Sequence, residues 1–411
     1  MSGTVLYKME KIYVIQPIID NDYKTEHKEV VSLIESSDGI YAGTLYQKIR
    51  EINPATYIGM GKLLELKDRL NGLTEITVLF NGALSPSQTL NISRVLDERK
   101  VIDRTTLILD IFARNAKSGE GKLQVELAQL KYIYPRLKGK GEALSRLGGG
   151  IGTRGPGETQ LETDRRHIRK RIDYLENRLK CLEVRRSQQI KRRKKTDTKT
   201  ISLVGYTNTG KSTLLNSLTQ SDVYVKDQLF ATLDPTSRCL EIDGIEFIVT
   251  DTVGFLKNLP HDLIEAFHST LESALNCDLA LIVCDASGDH EMQLKTTLET
   301  LKEMHFNIPY IIVMNKSEAL TDYDGYPPNS VFVSAKNNLG MEVLKREILK
   351  FFQKDFCFCS LFVPYRTVNN YLCVKKFLKE RYVKFDNFGM KIDAVIPIKH
   401  INKFIEFIVE K

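Results

Sequence analysis

The chain has 411 residues, 42% of them apolar, and a formal net charge of +7, a length that exceeds one ordinary core and implies several domains. No uncharged apolar run approaches the roughly 20 residues of a membrane span, and Lys8, Glu10 and Lys11 interrupt the first apolar stretch, which argues against a signal peptide. Seven cysteines, an odd number lying mostly in apolar runs such as that ending at Cys284, read as buried thiols of a reducing, cytoplasmic compartment rather than as a zinc site.

Residues 1–113 read as a small α/β domain. The run from Ile76 to Phe80 is strand-like. Ser85 and Pro86 then supply a helix cap and a first-turn proline for a helix expected to run to about Arg99, and Leu107 begins another apolar face.

Residues 114–198 carry two leucine-rich stripes with alternating spacings of four and three. One comprises Leu123, Leu127, Leu130, Tyr134 and Leu137; the other Ile168, Ile172, Leu175, Leu179 and Leu182. Two such helices of similar length predict an antiparallel hairpin. Pro135 is expected to kink or end the first helix, and Thr159 with Glu162 forms a capping box for the second. Eight glycines lie between Gly139 and Gly157, with Arg146 and Arg154 among them. A stretch of that composition is free to approach another backbone closely. From Arg165 to Lys195 there are 14 Lys and Arg against 3 acids. This one segment, led by Arg165, Arg166, Arg169, Lys170 and Arg171, holds more positive charge than the whole chain's net. That is the footprint of a phosphate-backbone partner.

From residue 199 to 353 strands and helices alternate as in a doubly wound, mostly parallel sheet, with a hairpin turning at Asp243-Gly244. Residues 357–411 read as a small α+β module. Strands are expected around Leu361 and from Lys391 to Ile396, with helices from Asn370 to Tyr382 and from about Ile401.

The chemistry lies in the third part. Gly205, Tyr206, Thr207, Asn208, Thr209, Gly210, Lys211 and Ser212 match the phosphate-binding loop G-x-x-x-x-G-K-[ST], and Thr213 follows inside the helix. Backbone N–H groups there cradle phosphates, Lys211 reaches the β- and γ-phosphates, and Ser212 suits Mg²⁺. Asp251 ends an apolar strand and suits the same ion, with Gly254 placed for its N–H to meet the γ-phosphate. Thr232 lies between the two motifs, where a hydroxyl could join Mg²⁺ only with a γ-phosphate present. Thr236 is the rival for that role. Asn315, Lys316 and Glu318 stand where N-K-x-D reads guanine, and Ser334, Ala335 and Lys336 match its companion turn. Glu318 is one methylene longer than the usual aspartate. Phe255 occupies the position at which many GTPases orient the attacking water with glutamine, so slow hydrolysis without a partner is expected.

Together these residues resemble the HflX family of ribosome-associated GTPases. The most specific part is the run from Gly152 to Arg166, joined by the stretches 54–59, 84–88, 103–112, 121–129 and 230–236. The resemblance implies an N-terminal α/β domain, a helical hairpin with a glycine-rich loop, a GTPase domain and a small C-terminal domain. It also implies binding to the large ribosomal subunit and its RNA, and the splitting or rescue of stalled ribosomes, by a monomeric protein. The stretch Asn81-Gly-Ala departs from the acids common in the family. The competing readings are a GTP-controlled binding module and a ribosome-assembly or RNA-processing GTPase.

Overall fold

The computed structural model describes residues 9–19, 23–145, 156–193, 198–219, 230, 236–255, 276–305, 307–320, 322 and 324–409. Arg146, Arg154 and Thr232 therefore lie outside the described residues, as does most of the glycine-rich stretch. The chain groups into two compact units, the first running to Arg186 and including Phe230, the second holding the remainder.

In the first unit, β1 (Lys11–Ile18), β2 (Ile40–Lys48), β3 (Ile76–Phe80) and β4 (Val101–Asp103) form a parallel sheet in the order β2-β1-β3-β4. Crossover helices α1 (Tyr23–Ser36), α2 (Met60–Arg69) and α3 (Pro86–Val95) connect them. Strand β3 is buried along its whole length, as expected where helices cover both faces of a parallel sheet. The α3 cap is reciprocal: Ser85 Oγ accepts from the Gln88 N–H at 3.2 Å, and Gln88 Oε1 accepts from the Ser85 N–H at 2.9 Å. The helix stops at Val95, short of Arg99, because Asp97 and Glu98 turn to positive φ. Asn81 fits its site as an amide: its Nδ2 donates to Gln16 Oε1 at 2.7 Å while its Oδ1 accepts from Arg104 Nη1 at 3.2 Å. A carboxylate could do only the second.

Asp103 caps α4 (Arg104–Asn115) by accepting from the Thr106 N–H at 3.0 Å, and it also accepts from the Tyr132 hydroxyl on the next helix. That helix, α5 (Gly119–Ser145), does not end at Pro135 but continues through it. Packing of α5 against α4, and the bonds of Tyr132 and Arg136 on either side of Pro135 to Asp103, outweigh the missing N–H of one proline. The antiparallel partner α6 runs from Pro156 to Arg193. It begins upstream of the expected capping box, with its proline in the first turn, where no N–H is needed. Glu120 pairs with Arg186 and Lys131 with Glu176, the crossing pattern of an antiparallel pair, and Leu127 and Leu175 are buried.

In the second unit, β5 (Lys199–Gly205), β6 (Thr236–Ile242), β7 (Ile245–Asp251), β8 (Leu279–Asp285), β9 (Tyr310–Asn315) and β10 (Val331–Phe332) form a sheet ordered β10-β9-β8-β5-β7-β6. Only β6 is antiparallel, joined to β7 through Asp243 (φ 50°) and Gly244 (φ 81°). Two positive φ values make the tight hairpin turn that matches strand twist. Helices α7 (Lys211–Thr219), α8 (His290–Glu303) and α9 (Met341–Phe352) belong to this sheet.

The C-terminal module is an antiparallel sheet in the order β11-β13-β12, made of β11 (Phe356–Pro364), β12 (Lys379–Phe385) and β13 (Gly389–Pro397). Its expected long helix is short, α10 (Val368–Val374). Tyr382 belongs to β12 instead, drawn into extended pairing opposite Asp393. The segment near Ile401 forms 3-10 turns that put Phe404 and Phe407 into the module's core.

Candidate nucleotide site

The loop between β5 and α7 sits at the carboxyl end of the sheet's central strands, where α/β folds place ligands. Lys211 is 6% exposed. Its ammonium donates to the carbonyls of Gly205 at 3.1 Å and Tyr206 at 2.6 Å. Burial pulls its pKa down to about 8, partly offset by the negative charge of Asp251. Ser212 Oγ donates to Asp251 Oδ2 at 2.5 Å. A hydroxyl and a buried carboxylate so close together form a hard-oxygen donor pair that fits Mg²⁺.

Asp251 ends β7, and the chain then folds back on the phosphate loop. The Thr207 N–H donates to Phe255 O at 2.8 Å and the Phe255 N–H to Gly205 O at 3.0 Å. Gly254 lies so close to the loop that a Cβ there would stand 2.7 Å from Thr207 Cα and 2.8 Å from Lys211 Nζ. Only glycine fits that approach. Phe255 is 2% exposed and packs inward. An inward phenyl ring cannot orient water. Thr236 opens β6 in register with Asp251.

Asn315 and Lys316, at the end of β9, brace the phosphate loop from behind. Asn315 Nδ2 donates to Thr209 O at 2.8 Å, and its Oδ1 accepts from the Ala335 N–H at 3.0 Å. Lys316, at φ 61°, donates to Asn208 O at 2.9 Å and to Asp285 Oδ2 at 2.6 Å. Ser334 is fully buried and accepts through its Oγ from the Asn337 N–H at 3.2 Å, while Lys336 is exposed. Glu318 is exposed in the 3-10 turn Ser317–Ala319. Thr213 follows Ser212 in the first turn of α7. The structure thus brings the phosphate loop, Lys211, Ser212, Asp251, Gly254, Asn315, Lys316 and Ala335 together, while Glu318 and Lys336 are exposed.

Asp285 is a site residue that the motifs do not mark. It ends β8 directly across from Asn315, and adjacent strand ends are the signal that could have found it. Phe230 opens the stretch 230–236, but the sequence assigns it no role. In the first unit its ring meets that of Phe112 edge-on at 4.5 Å, and its carbonyl accepts from Asn115 Nδ2 at 2.8 Å. It is 3% exposed at φ 57°, a strained backbone for a bulky residue.

On α6, Arg166, Arg169 and Lys170 are exposed. Arg171 forms a bidentate pair with Glu126 at 2.7 and 2.9 Å, and Arg165 lies over the Tyr134 ring at 5.4 Å. These last two are engaged within the hairpin.

Family models match three consecutive stretches. They are described as GTP-binding GTPase N-terminal over residues 24–113, GTP-binding GTPase Middle Region over 115–193, and 50S ribosome-binding GTPase over 200–316. The chain is 45% identical over 384 residues to GTPase HflX of Caldanaerobacter subterraneus subsp. tengcongensis, covering 93% of this chain and 90% of that one. It is 44% identical over 347 residues to GTPase HflX of Escherichia coli, covering 80% and 81%. Among solved structures, a GTP-binding protein from Sulfolobus solfataricus in complex with GDP aligns over 84% of this chain and 99% of its own, at 24% identity and a TM-score of 0.47.

Proposed function

This chain belongs to the HflX family of GTPases, and we propose on that footing that it binds the large ribosomal subunit and splits or rescues stalled ribosomes under nucleotide control. It is a P-loop GTPase that binds GTP and GDP. The observation that carries the ribosomal reading is the middle segment, whose residues 165–195 hold 14 Lys and Arg against 3 acids, with Arg166, Arg169 and Lys170 exposed on a long helix, joined to a glycine-rich stretch. Point charges in that density suit the RNA backbone, positioning the protein without specifying sequence. The match to a model described as 50S ribosome-binding GTPase supports the same partner.

Ser212 and Asp251 would hold Mg²⁺, which supplies charge neutralisation at the β- and γ-phosphates when bound. Lys211 exchanges its two carbonyl partners for phosphate oxygens, and the Gly254 N–H faces the terminal phosphate. Thr232 is the residue we assign to sensing that phosphate, since Thr236 is committed to the ladder opposite Asp251. Buried Phe255 leaves water unpositioned, so the free protein turns over slowly and the ribosome completes the site. The protein acts as a monomer in the cytoplasm; among the described residues no helix is long and apolar enough to cross a membrane.

Gradient sedimentation with ribosomes tests this reading. Co-migration with large subunits under a non-hydrolysable GTP analogue, loss of it under GDP, and ribosome-stimulated hydrolysis are expected. Binding to precursor particles alone would make it an assembly factor. Absence of ribosome binding in every nucleotide state would overturn the reading.

A further inference from the structure

We infer that the side-chain hydroxyl of Thr207 donates to an oxygen of the terminal phosphate of GTP, so that the phosphate loop itself tells GTP from GDP. Three threonines are buried around that loop: Thr207 at 5% exposure, Thr209 at 1% and Thr252 at 0%. Two of them bond as buried hydroxyls ordinarily do. Thr209 Oγ1 donates to Tyr206 O at 3.0 Å, and Thr252 Oγ1 donates to Leu203 O at 2.7 Å. Thr207 Oγ1 is equally buried and meets no hydrogen-bond partner among the described residues.

A dry, unpaired hydroxyl destabilises the fold that holds it. Valine has the same branched shape and would fill the space without that penalty. A hydroxyl kept there points to a partner that arrives with the ligand. The main chain of Thr207 cannot be the group that meets it. Its N–H donates to Phe255 O at 2.8 Å, and the Phe255 N–H donates to Gly205 O at 3.0 Å. These two bonds fix the loop at this residue and leave the side chain to act.

The position of that side chain selects the phosphate. A Cβ on Gly254 would stand 2.9 Å from Thr207 Cγ2 and 2.8 Å from Lys211 Nζ, so both side chains converge on one point over Gly254. A lysine in this motif spans the β- and γ-phosphates, and the Gly254 N–H faces the γ-phosphate. A phosphate that meets both lies beside Thr207. Rotation about Cα–Cβ exchanges hydroxyl and methyl between staggered positions, so the hydroxyl turns to that phosphate with the loop main chain unmoved. A hydrogen bond to an anionic oxygen is among the stronger ones. GDP lacks the terminal phosphate, so the bond forms with GTP alone. The inference rests on the nucleotide site and is independent of the ribosomal reading.

The test uses the full chain without ribosomes. It measures equilibrium binding of fluorescent GDP and of a non-hydrolysable GTP analogue carrying the same fluorophore, and thermal unfolding without nucleotide. Thr207→Val is expected to lower the ratio of GTP-analogue to GDP affinity about tenfold, the loss of one charged hydrogen bond, with GDP affinity unchanged. Its nucleotide-free form is expected to unfold at a higher temperature than the parent, because the dry hydroxyl is gone. Thr207→Ser keeps the hydroxyl and is expected to keep the parent's ratio, while Thr207→Ala is expected to match the valine variant in that ratio. The serine and alanine variants decide the matter if the valine variant does not fold. Binding of both nucleotides by the parent checks the site itself, so failure of the site and failure of the inference are read separately. An unchanged ratio in Thr207→Val overturns the inference. Equal loss of both nucleotides overturns it too, since the side chain would then only brace the loop. A lower unfolding temperature for the nucleotide-free valine variant also overturns it, because the hydroxyl would then have a structural partner.

Discussion

Lys211 holds its ammonium between two backbone carbonyls, and burial has already drawn its pKa down to about 8 from an ordinary value of 10.5. Phosphate oxygens favour the charged form and push it back up. GTP or GDP binding is therefore expected to take up protons near and above pH 8, read by calorimetry in buffers of different ionisation heat, and affinity is expected to fall as pH rises through that value. Lys211→Ala is expected to abolish the uptake. The sign for folding runs the other way. Between about 8 and 10.5 the native state holds fewer protons than the unfolded one, so the nucleotide-free protein gains stability as pH rises there. Glu318 belongs to the same scale. It is exposed and one methylene too long, and a well-made charged hydrogen bond contributes about 1.5–3 kcal/mol. Glu318→Asp is expected to raise the preference for GTP over ATP roughly tenfold, and competition binding with the two nucleotides checks it. Lys211, Ser212, Asp251 and Asn315 were legible in the sequence because each sits at a fixed offset within one short motif. The partners of Lys316 and Arg171 were not, because Asp285 lies 31 positions away and Glu126 lies 45 positions away. Only strand order and helix pairing bring them together.

Strand β6 holds Thr236, the rival to Thr232 for the role that the sequence assigns first to Thr232. Thr236 is locked opposite Asp251, so its backbone is set by the ladder whatever nucleotide is bound. Thr236→Ala is expected to leave the ratio of GTP-analogue to GDP affinity within about threefold, roughly 0.6 kcal/mol. Thr232→Ala is expected to lower that ratio by tenfold or more while GDP binding persists. Equilibrium binding of both nucleotides to both variants decides the assignment. Elsewhere the elements show where local pattern gives way to distant pairing. The hairpin α5–α6 was legible from its leucine spacing, yet Pro135 did not end α5, because packing against α4 holds the helix in place. Around Tyr371 and Leu378 the apolar spacing suits a helix. From Lys379 onward β13 recruits the chain as a strand, and nothing within a window of a dozen residues records that β13 will be its neighbour.

At the scale of the molecule, the core of the GTPase sheet reaches into the C-terminal module, which also keeps a core of its own. Phe356 of β11 and Val395 of β13 belong to the same buried cluster as Phe247, Phe352 and Val283 of the GTPase sheet. Lys379 pairs with Glu246 at 2.6 Å and Lys199 with Asp355 at 3.0 Å across the same seam. Phe356→Ala is expected to remove about 3–5 kcal/mol, lowering the denaturant midpoint monitored at the nucleotide site as well as in the module. A chain cut after Phe352 is expected to lose nucleotide binding through instability, although every nucleotide-site residue named above precedes that point. If nucleotide affinity and unfolding midpoint were both unchanged in the cut chain, the shared core would be of no consequence. The seam has a mechanical meaning too. A module welded to the nucleotide sheet cannot swivel on its own, so the exposed turn at Phe388 behaves as the tip of a pointer fixed to a dial. Any small rotation of the sheet is magnified there by the length of the arm.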